Sequence, residues 1–393
     1  MTDFRESQQG KTNSRHNYCT KSGDTRFFSV HYRAIFIYLL SAILLSCSRD
    51  PGEDIFVPYK WETASAASVG MSQQLLDSAF IVASGKEYID ALLVIKDGKI
   101  VGEQYYNGFT QDQPHNVMSV SKSMLSAIAG VALQEGYIDG LDSKMLDYFP
   151  EYIYEGIDPR KQNITVQHLL NMRMGIEGEA ADNYGVYMEL YNSDNWIKET
   201  IEYPLIYDPG ERMRYNTFIT HILSGVITEA TGMSTHEFAF NKLFKPMGID
   251  IDFWEQDPQG IYFGGNSMQI TPREMAVFGY MYLNDGMLNG KQIIPRDWVL
   301  FSRSPSTDMA HPNEWGGLKN YNYANLWWLG QFNLYDCFMA IGYGGQFIFV
   351  FPVPDLVVVS TAENNVSPET TTEQEWAIHD LLTRYILPAL GSR

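Results

Sequence analysis

Cysteine is scarce in this chain: three residues in 393, at Cys19, Cys47 and Cys337. So few cysteines give neither a disulfide framework nor a CxxC zinc pattern. Cations are also in deficit, with 28 Lys and Arg against 47 Asp and Glu for a net charge of −19. No basic stripe is available to neutralise phosphates, which excludes nucleic acid as a partner. The familiar catalytic signatures are absent: there is no G-x-S-x-G elbow, no H-E-x-x-H, no P-loop and no G-x-G-x-x-G. The histidines number eight and are scattered. His168 and His221 fall inside apolar helical patterns, where a structural role is the plainer reading. What the chain does have is core material: 45% hydrophobic and 14% aromatic residues, ample for a large globular domain.

The longest apolar run is short. "AIFIYLLSAILL" covers twelve residues, Ala34 to Leu45, and is followed by Ser46-Cys47. That is too short to span a bilayer comfortably and has the length of a signal h-region, with Arg33 as its positive flank. Leu-Leu-Ser-Cys resembles the lipobox of bacterial lipoproteins, which implies acylation of Cys47 and a mature domain in the cell envelope, facing the periplasm or the cell surface. An uncleaved anchor is the alternative. Residues 48 to 60 then read as a tether. Residues 1 to 46 carry six Lys or Arg and three Asp or Glu, so the mature chain is more acidic still. Cys337, in an apolar strand-like run, reads as a small buried hydrophobe.

Along the rest, "ALLVIKDGKIVGEQYY" predicts a hairpin about Asp97-Gly98. Apolar spacing at Val120, Met124, Ile128, Val131 and Ala132 predicts a helix closed by Gly136. Thr271, Pro272 and Glu274 form a capping box before another. "DCFMAIGYGGQFIFVFP" and "DLVVVSTA" are too aromatic and β-branched for helices, and a final helix is expected over residues 373–386. Strands at both ends with helices between them predict a discontinuous α/β domain (residues 61–117 and 300–393) with a mainly helical insert (118–299).

One segment raises a chemical question. "PHNVMSVSKSMLSAIAG" places a single lysine among small and apolar residues, one turn after a serine. In Ser119-Val-Ser-Lys122 the two residues are spaced i, i+3, about 5–6 Å apart at Cβ on a helix. Ser119 would sit at the helix N-terminus, where N–H groups favour developing negative charge. Burial would lower the lysine pKa and make it a general base for the hydroxyl. Alone the pattern is weak, because an N-cap serine beside a solvated lysine gives the same letters.

Four more segments accompany it in order: "ITVQHLLNMRMGI", "DPGERMRYNTFITHILSGVITEATGM", "DPQGIYFGGNSMQITPREMAVFGYMYLNDG" and "AIGYGGQFIFVFPVPDLVVVSTA". Over about residues 75 to 385 the chain resembles the serine β-lactamase and penicillin-binding-protein superfamily. The likeness is to its class C side and to the β-lactamase-related hydrolases that include 6-aminohexanoate-dimer hydrolase. The resemblance implies the penicillin-recognition α/β fold, an antiparallel sheet flanked by helices with an all-α insert, and catalysis without metal or organic cofactor. It makes Ser119 the acylated nucleophile, Lys122 its proton acceptor and Tyr215, of Tyr215-Asn216-Thr217, the relay to the leaving group. It makes Tyr343-Gly344-Gly345 the substrate-binding strand edge, and the N–H groups of Ser119 and Gln346 the oxyanion hole.

Two positions depart from the family pattern. Thr217 replaces an asparagine that binds the substrate's acyl-amide, and Tyr343 replaces the Lys or His that anchors its carboxylate. The expected substrate is therefore a small ester or a less anionic amide or short peptide. A true β-lactamase or D-Ala-D-Ala peptidase is the rival, and a non-catalytic sensing lipoprotein on the same fold is a second. Ser193-Asp194-Asn195 repeats the class A S-D-N but lacks flanking similarity, and reads as a loop or helix start. Tyr184, Tyr187, Tyr191, Trp196, Trp327 and Trp328 are candidate pocket walls, with plain core packing the simpler reading of each.

Overall fold

In a computed structural model, residues 56–179, 185–305 and 314–391 are described. The signal-like segment, Cys47, most of the tether and Tyr184 lie outside them.

Eight strands form one sheet: β1 (Glu62–Thr63), β2 (Ile89–Lys96), β3 (Lys99–Tyr105), β4 (Leu318–Tyr323), β5 (Trp328–Phe332), β6 (Tyr335–Gly342), β7 (Gln346–Phe351) and β8 (Leu356–Ala362). Their order is β1-β3-β2-β8-β7-β6-β5-β4, antiparallel except for the β1–β3 edge. The β2–β3 turn is built on Asp97 and Gly98, both at positive φ, as the Asp-Gly pair predicts.

The central strands read as continuous apolar runs because both faces of the sheet are covered. Along β2, Ala91, Leu93 and Ile95 enter the core shared with the helical region, while Leu92 and Val94 enter a second core on the opposite face. Such alternation follows from the period of two in a strand. Helix α1 (Gln73–Ser84) and the C-terminal helix α7 (Pro368–Leu381) lie on that second side. Helix α7 begins at the Ser367 N-cap, earlier than expected, and passes into a π-helical turn over Leu382–Ile386.

Residues 106–317 hold α2 (Val120–Gln134), α3 (Gly185–Tyr191), α4 (Trp196–Glu202), α5 (Thr217–Thr231) and α6 (Pro272–Leu283). The capping box of α6 is formed by Thr271 and Glu274 as read from the sequence. Helix α6 packs on β8, β7 and β2, so it belongs with the sheet although it falls within the 118–299 segment. Cys337 is buried in β6, and burial pushes its thiol well up. His221 is fully buried 2.9 Å from Asp257, and the ring of His168 accepts the Thr165 N–H in the cap of a short helix. Both histidines are structural, as expected.

Candidate active site

Helix α2 is buried on every side from Val120 to Ala132, packed between α5 and the β6–β7 region of the sheet. An all-round apolar helix belongs at the centre of a domain, and this is why its one lysine has no route to water. Lys122 is 1% exposed. Its Nζ lies 2.8 Å from Ser119 Oγ, 3.0 Å from Thr217 Oγ1 and 2.8 Å from the Gly265 carbonyl to which it donates.

The serines of this stretch separate by partner. Ser121 Oγ donates to the Met118 carbonyl, Ser123 Oγ to Leu326 and Ser126 Oγ to Asn325. All three are committed to backbone, as buried hydroxyls generally are. Ser119 makes no side-chain cap bond, and its hydroxyl faces Lys122 at the cavity wall. Immediately before it, Met118 has φ of 50°, a left-handed conformation uncommon for a non-glycine residue. The Asn116 side chain holds it by accepting the Met118 N–H at 3.0 Å. This turn lifts Ser119 to the start of α2 with its side chain turned outward.

Tyr215 lies just before α5. Its ring face is 4.9 Å from Lys122 Nζ, and it packs edge-on to Tyr323 at 5.9 Å and tilted against Trp328 at 6.1 Å. Ser119, Lys122 and Tyr215, ninety-six residues apart at the extremes, are thus brought together. The cavity over them has a volume of 720 Å³, and its lining includes Ser119, Glu179, Tyr215, Thr217, Trp328 and Tyr343. Among the described residues its lining holds no Lys, Arg or His. The aromatic candidates divide: Tyr187 and Trp328 face the cavity, Trp327 is core, and Tyr191 and Trp196 stand behind with Phe263. Ser193-Asp194-Asn195 does not line it. Asn195 caps α4 through the Lys198 N–H instead.

The other expected site residues have these positions. Thr217 lines the cavity, but its hydroxyl bridges Lys122 and Glu179, at 3.0 and 2.9 Å, rather than being left for the substrate alone. Tyr343 lines the cavity, and its hydroxyl donates to the Val366 carbonyl at 2.8 Å. Gly344 and Gly345 form the β6–β7 turn at φ of 85° and 104°. A Cβ on either would meet Asn364 or Ile378 rather than the cavity. They make the turn between β6 and β7. Gln346 follows that turn, fully buried opposite Gly342, with its side-chain amide donating to the Ala362 carbonyl at 2.6 Å. Ile341 and Tyr343, not Gln346, reach the cavity.

Sequence reasoning missed Glu179, whose carboxylate accepts both the N–H and the hydroxyl of Thr217. It stands just past the "NMRMGI" segment, in "EGEA", with no spacing to mark it. It also missed the seat of Gly265. Cβ atoms on Gly264 or Gly265 would fall 2.2 Å from the Thr220 carbonyl and 2.3 Å from Thr220 Oγ1. Only glycine lets this loop lie directly on α5 and bring its carbonyl to Lys122. "FGGN" was the available signal.

Burial pushes the Lys122 amine down, partly offset by the Glu179 carboxylate, to about 8. A base must be neutral to accept a proton, and the neutral fraction grows as pH rises through that value. The kcat/KM of an ester substrate is accordingly expected to climb between pH 6.5 and 9 with its half-maximum near 8. A profile flat across that interval would remove Lys122 as the base.

Known proteins resemble this chain over most of its length. The Beta-lactamase family model matches residues 82–383. A 6-aminohexanoate-dimer hydrolase of Paenarthrobacter ureafaciens is 25% identical over 298 residues, covering 69% of this chain and 71% of its own. Among solved structures, a family VIII carboxylesterase superposes with a TM-score of 0.57 at 20% identity, over 81% of this chain and 98% of that one. The octameric penicillin-binding protein homologue of Pyrococcus abyssi gives 0.58 at 18% identity, over 79% and 78%. The chain belongs to the Beta-lactamase family and is a β-lactamase-related serine hydrolase.

Proposed function

We propose that this enzyme hydrolyses a neutral ester or a weakly anionic amide through an acyl-enzyme on Ser119. The observation that carries the reading is the 2.8 Å approach of a lysine 1% exposed to the hydroxyl of Ser119. Lys122 takes the hydroxyl proton as Oγ bonds to the acyl carbon. The Ser119 N–H at the head of α2 and a backbone N–H from the β6–β7 end hold the oxyanion. Gln346, at the start of β7, is the expected second donor. Tyr215 protonates the leaving group, and water then attacks the acyl carbon along the same route in reverse.

The substrate class follows from charge. An anionic ligand entering this cavity meets the Glu179 carboxylate and no lining cation among the described residues. Loss of a desolvated charge-assisted anchor costs on the order of 1.5–3 kcal/mol, roughly a ten- to hundredfold loss of affinity. A panel of short-chain esters, neutral amides, nitrocefin and a D-Ala-D-Ala peptide tests this. The esters are expected to be turned over at least about tenfold faster than either anionic class. Equal turnover of nitrocefin would favour the β-lactamase reading. A stable Ser119 adduct with fluorophosphonate and turnover of nothing would favour a sensor.

A further inference from the structure

The surroundings of Glu179 carry more than packing. Its Oε2 is 2.9 Å from Thr217 Oγ1, its Oε1 accepts the Thr217 N–H, and the same Thr217 hydroxyl is 3.0 Å from Lys122 Nζ. A hydrogen-bond census then assigns each proton when the lysine is neutral. The Gly265 carbonyl is an acceptor only, so one Lys122 N–H points there. An ionised carboxylate is likewise an acceptor only, so the single Thr217 proton points to Glu179. The Thr217 oxygen is then left to accept the second Lys122 N–H. The amine lone pair remains for the Ser119 O–H, the one proton that has to move.

We infer that Glu179 is a positioning residue for acylation: through the Thr217 hydroxyl it fixes the direction of the proton chain around Lys122, and it is the anion against which the lysine ammonium forms. This rests on the serine mechanism proposed above. In the step itself the Ser119 O–H bond breaks, its proton goes to Nζ to give the ammonium, and the Oγ lone pair forms the bond to the acyl carbon. Without Glu179 the Thr217 proton is free to turn toward the amine lone pair and occupy the place the Ser119 proton needs. The ammonium would then form in a buried site with no counter-charge.

The groups around the pair are few among the described residues. Lys122 is faced by Ser119 on its own helix, by Thr217 and the Tyr215 ring at the head of α5, and by the Gly265 carbonyl. Glu179 is faced by Thr217, by Lys122 and by Tyr187 of α3, whose phenol also lies near Glu255. Burial pushes the Glu179 carboxyl up, and the Lys122 charge and the Thr217 bonds pull it back.

The test is Glu179→Gln beside Glu179→Asp, with Ser119→Ala run in parallel. Glutamine keeps the shape but removes the charge, and it can turn an N–H toward Thr217. It is expected to lower kcat/KM by about 10²-fold with KM within a few-fold, the range over which general-base efficiency is set. The acidic limb of the pH profile is expected to move down by about one unit, because the anion that favours the ammonium is gone. Fluorophosphonate labelling of Ser119 should slow by the same factor. Glu179→Asp keeps the charge and should hold the limb near the wild-type position at a reduced rate. Wild-type pH dependence and labelling in Glu179→Gln overturn the inference, as does an equal limb shift in both variants. Activity surviving Ser119→Ala overturns the serine mechanism instead, so the two failures are distinguishable. Should the glutamine variant not fold, the Asp limb position and Thr217→Val against Thr217→Ser decide it. Only the hydroxyl-free variant should reproduce the loss.

Discussion

Replacing Ser119 by alanine is expected to cut kcat/KM for an ester by roughly 10³-fold or more, and Lys122→Met by as much, with the double variant scarcely worse than either single one. On the serine mechanism proposed above, the two side chains act as a unit across one 2.8 Å contact. A hydroxyl with no base to receive its proton attacks no faster than water, and a base without its nucleophile has nothing to activate. Methionine keeps the volume of the buried stem in a fully enclosed helix, so the change reads chemistry rather than a cavity. Measuring both single variants and the double one on the same ester closes the cycle. Losses that multiply would mean that Ser119 and Lys122 act independently. Retained activity in Ser119→Ala would move the nucleophile elsewhere.

A loss of about 10²-fold is expected from a residue that does not line the cavity. Gly264→Ala places a Cβ 2.2 Å from the Thr220 carbonyl and 2.9 Å from Ser224 Cβ, both on the buried inner face of α5. Helix backbone in a close-packed core cannot yield by that amount, so the loop must lift. Lifting it withdraws the Gly265 carbonyl that holds Lys122 at 2.8 Å. Displacement by about 1 Å at a catalytic group can cost about 10²-fold in rate, and overpacking of this kind costs about 1–3 kcal/mol of stability. The expected variant is folded, has a melting temperature lower by several degrees and turns over ester about a hundredfold more slowly. Wild-type turnover with the lowered melting temperature would show that Lys122 does not need this carbonyl.

Local elements were legible because their causes are local. The Asp97-Gly98 hairpin, the Thr271–Glu274 capping box and the apolar period of α2 each lie within a few residues of one another, where backbone conformation and i, i+3 spacing decide the outcome. Helix α7 starts earlier than its apolar residues indicate, because the Ser367 cap, bonded to the Thr370 N–H, precedes a run of polar residues that carries no apolar period. The strands of "DCFMAIG" and "QFIFVF" were legible too, since both faces of the sheet are covered and β-branched and aromatic residues fill them.

By itself the sequence determined the pair at the head of α2, because i, i+3 residues on a helix meet wherever that helix is put. It also supplied Tyr215 and the glycine-flanked strand end through their resemblance to a known order of motifs. It did not determine whether Lys122 is wet or dry. That was decided when α2 was buried between α5 and the sheet, which strips water from an amine and leaves three fixed oxygens around it. Nor could it find Glu179, thirty-eight residues before Thr217. A carboxylate acquires its role from the hydroxyl it touches, and contacts between distant segments exist only once the chain has closed on itself.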